Sequence, residues 1–415
     1  MKLFPKGDID MTYDFSDKIK ELKPSAIREI FKHLSDPTII SFAGGNPSPE
    51  SFPVKELARL SEDIFANSST AALQYSVTEG YPLLREAVAK RLYEKFSIGK
   101  SEARGDAYSD ETIIVSGGNQ GLELACKVFC NEGDVVVCEN PSFIGALNSF
   151  RSNGAKTVGV PMEDDGINIE SLEETLKNTP NAKLLYIIAT FQNPSGVTTS
   201  YEKRVAIYEL AKKYGVMILE DNPYGELRYF GKDIPTLKSM DTEGLVIYCS
   251  SFSKILSAGM RVGYITAPAP VVQKMVVAKQ SEDVHTNIFF QMLCYKFMSE
   301  CDIDAHIEKI CDLYRRKSTL MLDSLDKYLP KEIKFTRPEG GLFIWCTLPD
   351  GVDMMEFVRA ALAEKVAVVA GTAFNCDTEA PSPSFRLNFS TPSDEQIVEG
   401  VKRLGRVAEK MLKGN

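Results

Sequence analysis

Six apolar runs between Glu111 and Pro268 constrain this chain more than any other feature of its sequence. They are Thr112-Ile-Ile-Val115, Asp134-Val-Val-Val-Cys138, Lys183-Leu-Leu-Tyr-Ile-Ile-Ala-Thr190, Val216-Met-Ile-Leu219, Leu245-Val-Ile-Tyr248 and Val262-Gly-Tyr-Ile265. Short continuous runs rich in Val and Ile predict strands covered on both faces, as in a parallel sheet. Helix-compatible stretches separate several of them, so the fold class is α/β with a mainly parallel sheet. Several runs end in Gly, Ser, Asn or Asp, and ligands of such sheets bind at strand ends.

The richest strand end is Tyr248-Cys-Ser-Ser-Phe-Ser-Lys254, followed by Arg261. A lysine on a connection facing a pocket is partly desolvated, which lowers its pKa and makes the amine a nucleophile able to form a Schiff base with an aldehyde. Ser251 and Ser253 offer hydroxyl donors to a phosphate, and Arg261 adds a fixed cation. A second reading takes Ser251 as nucleophile in an S-x-x-K pattern, but the companion S-D-N and K-T-G patterns are absent from the chain.

Ser116-Gly-Gly-Asn-Gln-Gly121 follows a strand and opens a helix. Its backbone N–H groups and helix dipole suit one phosphate, because the spacing is neither the dinucleotide fingerprint nor the P-loop. Asn193 precedes Pro194 and is thereby kept out of a helix, and Asp221 terminates an apolar strand. Arg386 alternates with Phe385, Leu387 and Phe389 and so needs an anionic partner.

At 415 residues the chain exceeds what one hydrophobic core serves, and two domains are expected. Its 48 basic and 57 acidic residues give a net charge of −9, which disfavours non-specific binding to nucleic acid or anionic lipid. The N-terminus has no apolar run of signal-peptide length and no stretch is long enough to span a membrane, so a cytoplasmic protein is expected. Nine cysteines, mostly inside apolar runs, read as buried thiols. Three histidines leave little material for a metal site, and none is expected.

In family order these motifs resemble the class I/II aminotransferases, which are pyridoxal phosphate (PLP)-dependent enzymes of fold type I. The branch of greatest similarity holds 2-aminoadipate, kynurenine and aromatic aminotransferases and the aminotransferase half of certain GntR-type regulators. The resemblance covers nearly the whole chain. It implies PLP on Lys254, with Asp221 at the pyridine nitrogen, Phe143 stacked on the ring, and Asn193 and Tyr224 on the phenolic oxygen. The phosphate falls to Gly118, Asn119, Ser251, Ser253 and Arg261, joined by Tyr75 from the other subunit of a homodimer with shared active sites. Arg386 takes the substrate α-carboxylate, beside Asn193 and the glycine-rich crossing at Gly44 and Gly45. Arg28, on a helix expected over about residues 17–34, is assigned to a distal carboxylate.

The implied organisation is an N-terminal segment over 1–50 at the active-site mouth, a large PLP domain over 51–295 and a small domain over 296–415. The smaller domain is α+β and built from both terminal segments. A polar helical stretch from about Ser281 to Leu329 leads into it, and strand-like runs at Gly341–Trp345, Val366–Val369 and Ser384–Phe389 precede a final helix from about Ser393. The implied reaction moves an amino group from an α-amino acid, such as 2-aminoadipate or an aromatic one, to a 2-oxo acid such as 2-oxoglutarate. A PLP lyase or decarboxylase on the same fold shares every cofactor contact. The effector domain of a GntR-type regulator is a non-enzymatic alternative, against which stands the absence of a basic DNA-binding segment before the crossing.

Overall fold

The computed structural model describes residues 13–20, 36–99 and 110–413. Asp17–Lys20 is helical; Arg28 and the rest of the helix expected up to residue 34 lie outside the described residues. In chain order the strands are β1 (Ile40–Ser41), β2 (Asp110–Val115), β3 (Val135–Asn140), β4 (Lys156–Glu163) and β5 (Gly166–Ile167). There follow β6 (Ala182–Ile187), β7 (Met217–Asp221), β8 (Val246–Ser251) and β9 (Gly263–Pro268). The last are β10 (Lys334–Phe335), β11 (Phe343–Thr347), β12 (Val366–Ala367), β13 (Val369–Ala370) and β14 (Ser384–Asn388).

Eight of these strands form one sheet in the order β2-β9-β8-β7-β6-β3-β4-β5. The five central strands, from β8 to β4, pair in parallel, while β9, β2 and β5 join antiparallel. Period-two alternation sorts the side chains of β6 and its extension cleanly. Leu184, Tyr186 and Ile188 enter one core with Leu122, Leu147 and Leu219, whereas Leu185, Ile187 and Ala189 enter another with Ile207, Ile218 and Val246. Helices Gly118–Phe129, Ile144–Ser152 and Ala269–Gln280 cover the first face, and Ile169–Asn178 and Tyr201–Tyr214 cover the second.

Local chemistry sets the helix ends. Ser200 Oγ accepts from the Lys203 N–H to start Tyr201–Tyr214, and Gly215 ends it at φ 68°, a left-handed turn that returns the chain into β7. The polar stretch expected to be helical from Ser281 breaks over residues 281–287, where Asn287 caps a new helix, Ile288–Glu300, before the long helix Ile303–Tyr328.

Strands β10-β11-β14-β13 form a separate antiparallel sheet, and β1 pairs in parallel with β12. The apolar run Val366–Val369 is therefore shared between two sheets: Val366 and Ala367 join Ile40 and Ser41, while Val369 pairs with Arg386. The segment at Ile40–Phe42 is thus held by C-terminal residues, and Phe42 packs so closely on the last helix that a Cβ at Gly400 would lie 2.4 Å from its ring. Among the described residues no helix is long and apolar enough to cross a membrane.

Candidate active site

The carboxyl ends of β6, β7 and β8, together with the glycine-rich segment and β14, surround a cavity of about 340 Å³. Lys254 lies in the turn after β8, half-buried, and its Nζ donates to the Gly45 carbonyl at 2.7 Å. Burial, reinforced by the charges of Arg386 and Arg261 and opposed by Asp221, pushes its pKa down to about 8. Asp221, at the end of β7, is buried, and that burial pushes its pKa up to about 7 despite a 2.8 Å hydrogen bond from the Tyr186 hydroxyl. Tyr224 lies close by, 6.0 Å from ring centroid to the Lys254 amine, with its phenol pushed upward by burial.

One wall of the cavity is an anion cradle. Gly117 turns the chain at φ 83° into the helix that begins at Gly118, and a Cβ there would lie 2.1 Å from Arg261 Nη2. Arg261 itself adopts a left-handed φ of 53°, an uncommon conformation for a non-glycine residue, and reaches the Ser253 hydroxyl at 3.4 Å. Ser251 Oγ donates to Ser253 Oγ at 2.7 Å. Asn119 and Phe143 also line the cavity, and the Asn119 amide is steadied by Ser149 Oγ at 3.2 Å. Behind the turn, the Ser116 hydroxyl donates to Asp283, whose carboxylate is paired with the buried Lys279 at 2.7 Å.

Arg386 closes another part of the cavity. It is 2% exposed, donates from Nη1 to Asn193 Oδ1 at 2.8 Å and from Nη2 to the Ala43 carbonyl at 2.9 Å. The guanidinium lies 4.2 Å from the Phe343 ring centroid and 4.9 Å from that of Phe374. Its Nε is buried with no hydrogen-bond partner, and among the described residues no carboxylate pairs with it. Twelve predicted residues therefore converge: Gly45, Gly118, Asn119, Phe143, Asn193, Asp221, Tyr224, Ser251, Ser253, Lys254, Arg261 and Arg386 all line the cavity.

A family profile described as aminotransferase class I and II matches residues 37–404. The chain is 39% identical to aromatic-amino-acid aminotransferase 1 of Thermococcus litoralis, over 98% of this chain and 96% of that protein. It belongs to the class I/II aminotransferases. This aminotransferase is also 38% identical to the 2-aminoadipate transaminase of Thermus thermophilus, over 94% of its own length and 95% of the relative's. The crystal structure of α-aminoadipate aminotransferase from Thermus thermophilus, complexed with N-(5'-phosphopyridoxyl)-L-leucine, superposes with a TM-score of 0.87 at 37% identity, covering 97% of this chain and 98% of that one. Amino-group transfer is its activity, and the family is PLP-dependent.

One predicted residue of the aminotransferase, Tyr75, stands apart from the cavity. Tyr75 is 81% exposed and its ring meets the edge of His285, with ring centroids 5.9 Å apart; Arg28 lies outside the described residues. Sequence reasoning passed over three others. Phe343 lines the cavity and faces both Arg386 and Tyr224; Ile188 lines it from the end of β6; Tyr186 touches Asp221 from beneath. The signal for the last was available, since Tyr186 carries the only hydroxyl between Lys183 and Ala189.

Proposed function

We propose that the aminotransferase holds PLP on Lys254 and moves amino groups from 2-aminoadipate, aromatic or similar α-amino acids to a 2-oxo acid such as 2-oxoglutarate. The observation carrying this reading is Arg386, a buried guanidinium with an unpaired Nε and no carboxylate partner among the described residues. Burying a cation that way is costly unless an anionic ligand completes it. PLP fits the rest of the cavity: a desolvated amine, a buried carboxylate, an aromatic wall at Phe143 and an anion cradle where the missing side chain of Gly117 leaves room for the Arg261 guanidinium. When bound, PLP supplies the carbonyl through which amino groups are exchanged and the ring that withdraws electrons from them.

The chain's own residues then divide the work. Lys254, with its pKa near 8, takes and returns the proton at the substrate Cα. Asp221 faces the pyridine nitrogen and favours its protonated form, Asn193 and Tyr224 hold the phenolic oxygen, and Phe143 covers the ring. Gly118, Asn119, Ser251, Ser253 and Arg261 hold the phosphate. Tyr75, too exposed for a packing role, completes the phosphate site of a neighbouring subunit in a cytoplasmic homodimer. Arg386 fixes the α-carboxylate beside Gly45 and Asn193, and Arg28 meets a distal carboxylate. Residues 51–295 form the PLP domain, with 1–50 and 296–415 supplying the mouth and the smaller domain.

Borohydride reduction of the PLP-loaded protein followed by peptide mass spectrometry is expected to find the pyridoxyl adduct on Lys254, and an adduct on another lysine overturns the reading. A donor and acceptor screen with product analysis is expected to yield glutamate from 2-oxoglutarate with 2-aminoadipate or an aromatic donor.

A further inference from the structure

Strand parity brings an unassigned hydroxyl to the floor of the cavity. Tyr186 on β6 is level with Leu219 on the neighbouring strand β7, and Asp221 follows two residues later on the same face. Both residues are buried, Tyr186 at 0% and Asp221 at 4% exposure. The Tyr186 ring is wedged edge-on against Phe150 at 5.3 Å, and its hydroxyl donates to Asp221 Oδ2 at 2.8 Å. A buried tyrosine needs a partner for its O–H, and this one has a carboxylate. Occupying Oδ2 from below fixes the carboxylate plane and leaves Oδ1 for whatever occupies the cavity.

We propose that Tyr186 is a positioning residue for Asp221, holding one carboxylate oxygen so that the other meets the cofactor's ring nitrogen. The proposal rests on the assignment of Asp221 to that nitrogen. Glu139, also fully buried, is a near neighbour: its charge acts on Tyr186 and it feels that of Asp221. Its Oε2 is instead engaged by the Ile188 N–H at 3.0 Å and the Gln192 amide at 3.3 Å, so Tyr186 is the group that grips Asp221.

The test measures PLP dissociation constants and PLP-free melting temperatures of the full-length chain as wild type, Tyr186→Phe, Asp221→Asn and the double variant. Tyr186→Phe keeps the ring and is expected to weaken PLP binding about tenfold, the scale of one hydrogen bond to a charged group. The double variant should bind no worse than Asp221→Asn, because the hydroxyl then has no carboxylate to orient. Phe150→Leu, which disturbs the same packing, should lower the melting temperature and leave PLP affinity unchanged. Wild-type affinity in Tyr186→Phe alongside weakened Asp221→Asn overturns the proposal alone, as does a full additional loss in the double variant or an equal loss in Phe150→Leu. Unchanged affinity in Asp221→Asn overturns the assignment of Asp221 itself.

Discussion

Arg204 and Arg386 are both buried arginines whose pKa burial pushes down to about 10, yet they belong to different kinds of place. Arg204 spends its donors on the chain: Nε on the Thr199 carbonyl at 3.0 Å, Nη1 on Pro235 at 3.0 Å, and Nη2 on Ala189 at 2.7 Å and Thr190 Oγ1 at 2.9 Å. Arg386 spends two and leaves Nε without a partner among the described residues. The lysines repeat the contrast. Lys238 sits between Asp241 at 2.9 Å and Asp110 at 2.8 Å, while the Lys254 amine meets a backbone carbonyl. Burial and proton affinity alone do not separate scaffold from site; the use made of each donor does.

Substitutions that exchange the two kinds of cation test this distinction. The largest effect is expected for Lys254→Ala, with turnover falling by about 10²–10⁴-fold, the range for a missing general acid and base, at an unchanged melting temperature. Lys238→Met is its counterpart: removing one partner from a buried charge cluster should cost about 3–5 kcal/mol in denaturant unfolding, while the folded fraction still turns over substrate. Stable protein from Lys238→Met would break the comparison.

Next in size, Arg386→Met should lower kcat/KM for α-amino acids about 100-fold, as truncating one side of a buried charge pair does. Amines lacking an α-carboxylate should show no such loss. Arg204→Met is expected to leave substrate kinetics alone and to destabilise the fold, since each orphaned buried carbonyl costs about 1–3 kcal/mol.

A smaller signature lies in pH. Asp221 and Glu139 have pKa values raised to about 7 in the folded chain, so between about pH 4 and 7 the folded form binds more protons than the unfolded one. PLP-free protein should therefore lose stability as pH rises through that window, and Asp221→Asn should flatten the slope in denaturant titrations. Lys254, lowered from 10.5 to about 8, works in the opposite direction. Between those values the unfolded chain binds the extra proton, so this residue's contribution rises with pH. The smallest effect is expected for Phe343→Leu, which removes one aromatic face from Arg386. A cation–π contact is worth about 0.5–2 kcal/mol, so kcat/KM should fall several-fold without a change in the melting temperature.

The sequence made most of the cavity legible because its polar members interrupt apolar runs. Lys254, Asp221, Asn193 and Arg386 each sit where hydrophobic patterning stops or is broken, and the structure brings them together. Phe343 was invisible for the opposite reason, since an aromatic residue inside an apolar strand reads as core until its neighbours are known, and the Tyr186 hydroxyl was the one mark that set that residue apart from its run. Val366–Val369 looked like one strand because four apolar residues carry no sign of which sheet each will join. The break over residues 281–287 was hidden by the polar composition on both sides, although Asn287 is a ready helix cap. Tyr75 was assigned to the phosphate through the resemblance alone, and in the structure it is exposed and away from the cavity.

The two bonds that hold the Arg386 guanidinium reach back 193 and 343 positions along the chain, to Asn193 and Ala43. This separation sets an order of completion during synthesis. By residue 268 a ribosome has made every strand of the large sheet, with Asp221 and Lys254 already in the polypeptide. The segment around Ile40–Phe42 has by then emerged as well, but β12, β14 and the last helix, against which it packs, do not yet exist. A nascent chain can therefore carry the whole floor of this cavity while lacking the wall that Arg386 forms, and that wall is completed only after residue 386 has been added.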